Sequence, residues 1–322
     1  MSAPDNKQIL GIHHVTAIAG EPQQNIDFYS DFLGLRLVKL TVNYDAPETY
    51  HLYYGDENGH PGTILTFFPW PGAPKGRKGA GQVTVTSFSI PRASVGYWVE
   101  RLSKRGIRFE GPINRFEEQV ISFSDPDDLK LELVAHAGAE ERTGWSHGPV
   151  PQEHAIRGFF GVTLSEEGYE RTASLLTEIM EFHLVKEDRN RFRYAIGEGG
   201  AGAMVDVLCQ PDAPTGLVSV GTVHHLAWRT PNDEQQKEWR NVLVNARLNV
   251  TPVIDRKYFH SIYFREGGGV LFEIATDPPG FTVDEKLEEL GTGLVLPSWL
   301  EPLRAQLRDI LPPVKLPSSR EA

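Results

Sequence analysis

The sequence predicts an α+β protein of four βαβββ modules that pair into two cup-shaped half-barrels. Three observations predict it. The tetrapeptide Ile12-His13-His14-Val15 returns as Val223-His224-His225-Leu226, with the second histidines 211 residues apart. The order strand, helix, strands recurs four times along the chain. A polar segment bearing Gly and Pro, residues 137–154, divides the chain into halves with two recurrences each. A single such module cannot cover both faces of its small sheet, so modules pair and their curved sheets enclose a cup.

Each element follows from local pattern. Residues 12–19 read as a strand, and residues 23–33 as a helix, because Ile26, Phe28, Tyr29, Phe32 and Leu33 follow the 3.6-residue period. Gly34 stops the helix, and strand-like runs follow at 35–42, 50–54 and 63–68. The second module repeats the order more faintly: strand 83–90, helix 94–104 ending at Gly106, then strands 120–123 and 129–134 around the turn Asp125-Pro126-Asp127-Asp128. The third opens with strand 158–164 and helix 169–180, after which Glu181-Phe182-His183-Leu184-Val185 echoes Gly34-Leu35-Arg36-Leu37-Val38. The fourth runs from Thr222 through helix 233–246 to a hairpin over 258–275. The resulting domains are 8–136 and 155–280, two modules each, with a linker at 137–154 and a tail at 281–322. In the tail, Leu294-Val295-Leu296-Pro297 and a helix over 299–310 suit docking over one cup or a subunit contact in a homo-oligomer.

Composition narrows the function. With 322 residues, 40% hydrophobic and 23% charged, the chain can bury two domain cores or one duplicated core. A net charge of −11 leaves no basic stripe for phosphates or anionic lipid, which argues against nucleic-acid and membrane-surface roles. No apolar run reaches the roughly 18 residues of a membrane span. The polar start lacks the form of a secretory signal, so a cytoplasmic location is expected. The single cysteine, Cys209, excludes an internal disulfide and a thiolate-rich metal site and reads as a small apolar core residue.

The chemistry concentrates in three side chains. In Gly269-Val270-Leu271-Phe272-Glu273-Ile274-Ala275 an acid interrupts an apolar strand, and a buried carboxylate needs a cation or a proton. Strand alternation sends His225, Ala227 and Arg229 to the cup and His224, Leu226 and Trp228 under a helix. By the repeat, His14 matches His225, while on the first strand Ile12, His14, Thr16 and Ile18 compete with His13, Val15, Ala17 and Ala19 for the interior; His14, His225 and Glu273 form a candidate metal set. Aligning the four opening strands puts His14, Val85, Phe160 and His225 together, and the closing strands offer Thr66, Glu132, Val205 or Asp206, and Glu273. A complete His, His, Glu set therefore requires the first module to face the fourth in one cup, with the second and third forming a metal-free partner, and Glu132 reads as a vestige. A turn centred on Gly268 places Tyr263 directly across from Glu273, on the same face. His51 and Tyr54 match His260 and Tyr263 by position and are expected in the same cup.

Four segments carry a family resemblance: Gly11-Ile12-His13-His14-Val15-Thr16, Tyr50-His51-Leu52-Tyr53-Tyr54-Gly55-Asp56, Gly62-Thr63-Ile64-Leu65-Thr66-Phe67-Phe68-Pro69-Trp70 and Val223-His224-His225-Leu226-Ala227. In this order the chain resembles the vicinal oxygen chelate superfamily of glyoxalases, bleomycin-resistance proteins and extradiol dioxygenases, and within it the ring-cleaving dioxygenases of hydroquinones. The resemblance implies the glyoxalase/dioxygenase fold, one Fe(II), or alternatively Mn(II), held by His14, His225 and Glu273, and a small aromatic substrate cleaved with O2. It also implies a proton donor in Tyr263, a substrate-orienting cation in Arg256, and supporting roles for His13 and His260. The alternatives are a glyoxalase-like lyase or isomerase, a fosfomycin-type transferase, and a metal-free binding protein.

Overall fold

The computed structural model describes residues 7–317. The first module comprises β1 (Ile12–Ala19), α1 (Pro22–Ile26) widening into a π-helical turn over Asp27–Phe32, β2 (Arg36–Asn43), β3 (Ala46–Gly55) and β4 (Ile64–Pro69). The second has β5 (Gln82–Pro91), α2 (Val95–Lys104), β6 (Phe109–Arg115), β7 (Glu118–Ser124) and β8 (Lys130–His136). The third has β9 (Phe159–Glu166), α3 (Glu170–Ser174) with a π-helical turn over Leu175–Ile179, β10 (His183–Asp188), β11 (Arg191–Ala195) and β12 (Met204–Cys209). The fourth has β13 (Thr222–Thr230), α4 (Asp233–Asn245), the two-residue β14 (Ile254–Asp255), β15 (Phe259–Arg265) and β16 (Leu271–Pro279). Gly34, at φ +72°, ends the first helix in a backbone conformation that side chains disfavour.

Two eight-stranded sheets result. One runs β14-β15-β16-β13-β1-β4-β3-β2 and the other β10-β11-β12-β9-β5-β8-β7-β6. The first module thus joins the fourth through antiparallel β1 and β13, and the second joins the third through β5 and β9. Each half of the sequence gives one module to each cup. Helices cover the convex sides, where Tyr29, Trp98, Leu176, Trp228 and Trp239 belong to one continuous apolar core. That sandwiching explains why all eight residues of β1 are buried. No helix among the described residues is long and apolar enough to cross a membrane.

β6 was not anticipated from the sequence. It is an edge strand with nearly all residues exposed, so no apolar alternation marks it. The tail docks within the chain: Val295 donates its backbone N–H to the Leu40 carbonyl at 2.9 Å, beside edge strand β2. Fully buried Lys39 ties the same edge to Asp284 at 2.7 Å and to Glu285. A short α5 (Arg304–Ile310) is the last helix among the described residues.

The second cup is filled. Arg115 forms a two-pronged pair with Glu132, both contacts at 2.8 Å, and Arg193 joins Asp206 at 2.6 Å and Glu118 at 2.9 Å. The pocket that Arg115, Arg193 and Asp206 line with Phe160 has room for only about 10 Å3. The guanidinium supplies the cation that Glu132 needs, which fits the reading of Glu132 as a vestige.

Candidate metal centre

The strand registers lay two rows of side chains across the first cup. In one, His14 lies beside Ala227, Ala227 beside Glu273, and Glu273 beside Tyr263. In the other, His225 lies beside Thr16, Thr16 beside Thr66, and Thr66 beside Tyr53. The module duplication exchanges the rows: His14 with His225, Ala227 with Thr16, Glu273 with Thr66, Tyr263 with Tyr53. Paired residues share a face. The methyl of Ala227 leaves room between His14 and Glu273.

His14, His225 and Glu273 converge. His14 Nε2 lies 3.2 Å from His225 Nε2 and 3.3 Å from Glu273 Oε2, and His225 Nε2 lies 3.0 Å from Glu273 Oε2. All three are buried. Ligand atoms at about 2.0–2.2 Å from one ion and near right angles to each other would be about 3 Å apart, the spacing found here.

Hydrogen bonding fixes where the lone pairs point. His13 Nε2 faces the Thr276 carbonyl at 3.2 Å, and a carbonyl can only accept, so the proton sits on His13 Nε2. Burial, reinforced by His14, holds the His13 pKa well below the usual range, so its ring is neutral and its Nδ1 bare. That nitrogen, 2.9 Å from His14 Nδ1, accepts the His14 Nδ1 proton. That leaves His14 Nε2 facing Glu273 Oε2. His224 Nδ1 likewise lies 2.7 Å from His225 Nδ1. Burial lowers the pKa of His225, and that of His224 to about 3, keeping both rings neutral as ligation requires. Ser261 donates to Glu273 Oε1 at 2.5 Å, whereas Oε2 has no hydrogen-bond donor among the described residues. Two imidazole nitrogens and a carboxylate oxygen meet around one point, buried from water, and this donor set fits a divalent ion.

The paired histidines owe their arrangement to two β-bulges. Ile12 pairs with Trp228 but His14 with Ala227, leaving His13 extra; Thr16 pairs with His225 but Ala17 with Val223, leaving His224 extra. At a bulge two consecutive residues oppose one, and strict alternation fails. The sequence reading put His224 under a helix. The structure instead turns it to the cup, whose cavity of about 360 Å3 it lines with His14, His225, Arg256 and Tyr263.

Arg256 bridges the cavity rim, with Nη1 2.8 Å from Asp45 Oδ2 and Nε donating to the Tyr263 hydroxyl at 3.3 Å. Burial, then the Glu273 charge, raises the Tyr263 pKa, which keeps the phenol protonated. His51 lines the cavity, but Tyr54 does not: its hydroxyl donates to Asn25 at 2.9 Å inside the convex core, and Tyr53 takes the place expected for it. His260 also lies outside the cavity lining, because its Nδ1 turns to Asp233 at the start of α4, 2.6 Å away. Sequence reasoning missed Tyr53, Ser261 and Asp45. Ser261, two residues before Tyr263 on one strand, was reachable by alternation; Asp45 carries no such signal.

A family model described as Glyoxalase/Bleomycin resistance protein/Dioxygenase superfamily matches residues 11–133 and 160–284. A Bacillus subtilis (strain 168) protein named "Putative ring-cleaving dioxygenase MhqO" is 48% identical over 310 residues, 96% of this chain and 98% of the relative. The chlorohydroquinone/hydroquinone 1,2-dioxygenase of Sphingobium indicum (strain UT26S) is 35% identical over 94% of this chain and 95% of its own. A crystal structure of a Bacillus subtilis protein, 47% identical, superposes with a TM-score of 0.92 over 97% of this chain and 99% of that one. Glyoxalase I from Zea mays shares the fold at a TM-score of 0.60 and 13% identity, over 83% of this chain and 92% of that one.

Proposed function

The chain belongs to the glyoxalase/bleomycin resistance protein/dioxygenase superfamily, and from that premise we propose that it is a ring-cleaving dioxygenase, opening a hydroquinone- or catechol-type aromatic with O2 at one Fe(II) held by His14, His225 and Glu273. The observation that carries the reading is the convergence of two buried imidazole nitrogens and an undonated carboxylate oxygen within 3.0–3.3 Å of one another. Two histidines and one carboxylate on one side of an ion are the donor set of non-haem Fe(II) oxygenases, which leaves positions free for substrate and oxygen. Thr66, where the duplication would supply a second glutamate, offers no fourth ligand and supports the open site over a glyoxalase-like one. The names of the dioxygenase relatives support the aromatic substrate. Mn(II), which accepts the same donors, is the alternative ion.

When bound, such an ion supplies the electron exchange that lets O2 react with a ring carbon, chemistry that belongs to the cofactor. The protein's own groups do the rest. His13 and His224 fix the ring orientation and tautomer of His14 and His225. Arg256 presents a permanent cation beside the Tyr263 hydroxyl, suited to hold a phenolate oxygen. Tyr263 keeps its proton and can donate it as negative charge builds on a departing oxygen. Phe68, Phe259 and Leu271 line the cavity and limit the water that reaches the ring. A cytoplasmic location belongs to the same reading, supported by the lone cysteine.

Anaerobic reconstitution with Fe(II) or Mn(II), followed by oxygen-electrode assays with hydroquinone and catechol, tests the proposal. Oxygen uptake that requires the metal is expected. Stoichiometrically loaded protein that consumes no oxygen with either diol would overturn it.

A further inference from the structure

Histidines aside, Asp45 and Arg256 are the charged side chains lining the first cavity. They come from the two ends of one sheet. Asp45 sits in the turn between β2 and β3, Arg256 directly follows β14, and β14 and β2 are the outermost strands in the eight-stranded order. The curl of the sheet brings these ends together across the mouth, where Arg256 Nη1 donates to Asp45 Oδ2 at 2.8 Å. The turn holds the acid in place: Asn43 Oδ1 accepts the Asp45 backbone N–H at 3.0 Å, and the neighbouring Tyr44 ring meets Trp299 of the tail edge-on, centroids 5.6 Å apart.

The pair adds little to stability, because the Asp45 side chain is 71% exposed. Its effect falls on what the guanidinium can still bind. A guanidinium grips a carboxylate best with two parallel N–H groups. Here Nη1 serves Asp45 and Nε serves the Tyr263 hydroxyl at 3.3 Å, so Nη2 is the one guanidinium nitrogen without a hydrogen bond among the described residues. It can meet a single oxygen, such as a phenolate presents. A ring carboxylate would have to displace Asp45 or lie against its charge. The total charge points the same way: a divalent ion, ionised Glu273, Arg256 and Asp45 together leave one net positive charge. A singly ionised diol neutralises it, and a further anionic group on the ring goes uncompensated.

We propose that Asp45 is a specificity-determining residue that occupies Arg256 as a built-in carboxylate, so that the cup turns away ring acids. This rests on reading His14, His225 and Glu273 as the metal centre. Replacing Asp45 by Asn keeps an oxygen that can accept from Nη1 and removes the charge, so the mouth stays bridged while the filter is lost.

The test is anaerobic calorimetric titration of the Fe(II)-loaded protein with two pairs of ligands, each a diol and a corresponding acid: hydroquinone with 2,5-dihydroxyphenylacetate, and catechol with 3,4-dihydroxybenzoate. Wild-type protein is expected to bind the acids more weakly than the diols. Asp45→Asn is expected to tighten at least one acid about tenfold, the lower worth of one charge-assisted hydrogen bond to the freed guanidinium, while the diols change by less than about twofold. Asp45→Glu keeps the charge and is expected to leave both acids weak. Acids that bind wild type as tightly as the diols, acids unchanged in Asp45→Asn, or acids released equally by Asp45→Glu overturn the proposal. Diols and acids weakened in parallel by Asp45→Asn overturn it too, since the pair would then only hold the mouth closed. Wild-type protein that binds none of the four ligands would instead refute the metal-centre reading and take the proposal with it.

Discussion

Replacing Glu273 by Gln separates the two halves of the metal-centre reading, because it changes charge at nearly constant shape. In the metal-free protein, Glu273 Oε2 faces His225 Nε2 at 3.0 Å and His14 Nε2 at 3.3 Å with no donor between them. A glutamine amide would keep the hydrogen bond from Ser261 on its oxygen and turn its NH2 toward those nitrogens. One added net hydrogen bond is worth about 1 kcal/mol, so the metal-free variant should be about that much more stable than the metal-free wild type. Metal should reverse the order. An ion at 100 times its dissociation constant stabilises the fold by about 2.7 kcal/mol, whereas a hundredfold loss of affinity would leave about 0.4 kcal/mol at the same concentration. Anaerobic urea unfolding of chelator-treated and Fe(II)-loaded proteins reads both quantities. A metal-free Glu273→Gln protein several kcal/mol weaker than wild type would show that Glu273 already has its counter-charge without an ion. Undiminished stabilisation of the variant by Fe(II) would remove Glu273 from the site altogether.

Other perturbations test neighbouring links. His13→Phe unties His14 Nδ1 and should lower Fe(II) affinity about 10–100-fold in chelator competition, the usual cost of losing a ligand's supporting hydrogen bond; unchanged affinity would deny His13 its orienting role. Thr66→Glu restores the carboxylate that the duplication predicts, and should keep or tighten metal binding while abolishing oxygen uptake; full activity would mean that the position is remote from the reacting atoms. Glu166, fully buried with both carboxylate oxygens unpartnered, has its pKa raised to about 8 by burial and by Glu266. Its folded form holds a proton that the unfolded chain releases near pH 4–5. Its contribution to stability should therefore fall as pH rises from that range to about 8. Glu166→Gln should flatten the slope in unfolding measurements across that window, and an unaltered slope would count against a protonated Glu166.

Periodicity and duplication made much of this legible. The hairpin register that opposes Tyr263 to Glu273 follows from a three-glycine turn and is the register observed. The union of the first module with the fourth followed from which modules kept histidines, a chemical argument rather than a local one. What escaped had physical reasons. The bulges at His13 and His224 defeat alternation, and a bulge is a property of strand pairing that no single strand displays. Tyr53 and Tyr54 are adjacent aromatics, and the long connection from Gly55 to Thr63 gives no turn centre from which to count. β6 lies at an edge and carries exposed side chains, so its strand character comes only from its neighbour β7.

The union of β1 with β13 has a consequence for biosynthesis. During translation at about 5–20 residues per second, β1 would leave the ribosome some 10–40 s before its partner is made, since 211 residues separate His14 from His225. For that interval the amino-terminal module carries an unpaired edge and one of the three proposed ligands. On the metal-centre proposal, a nascent chain that stalls before Glu273 is polymerised would lack the carboxylate ligand, and loading would double as a check that synthesis has run through the fourth module.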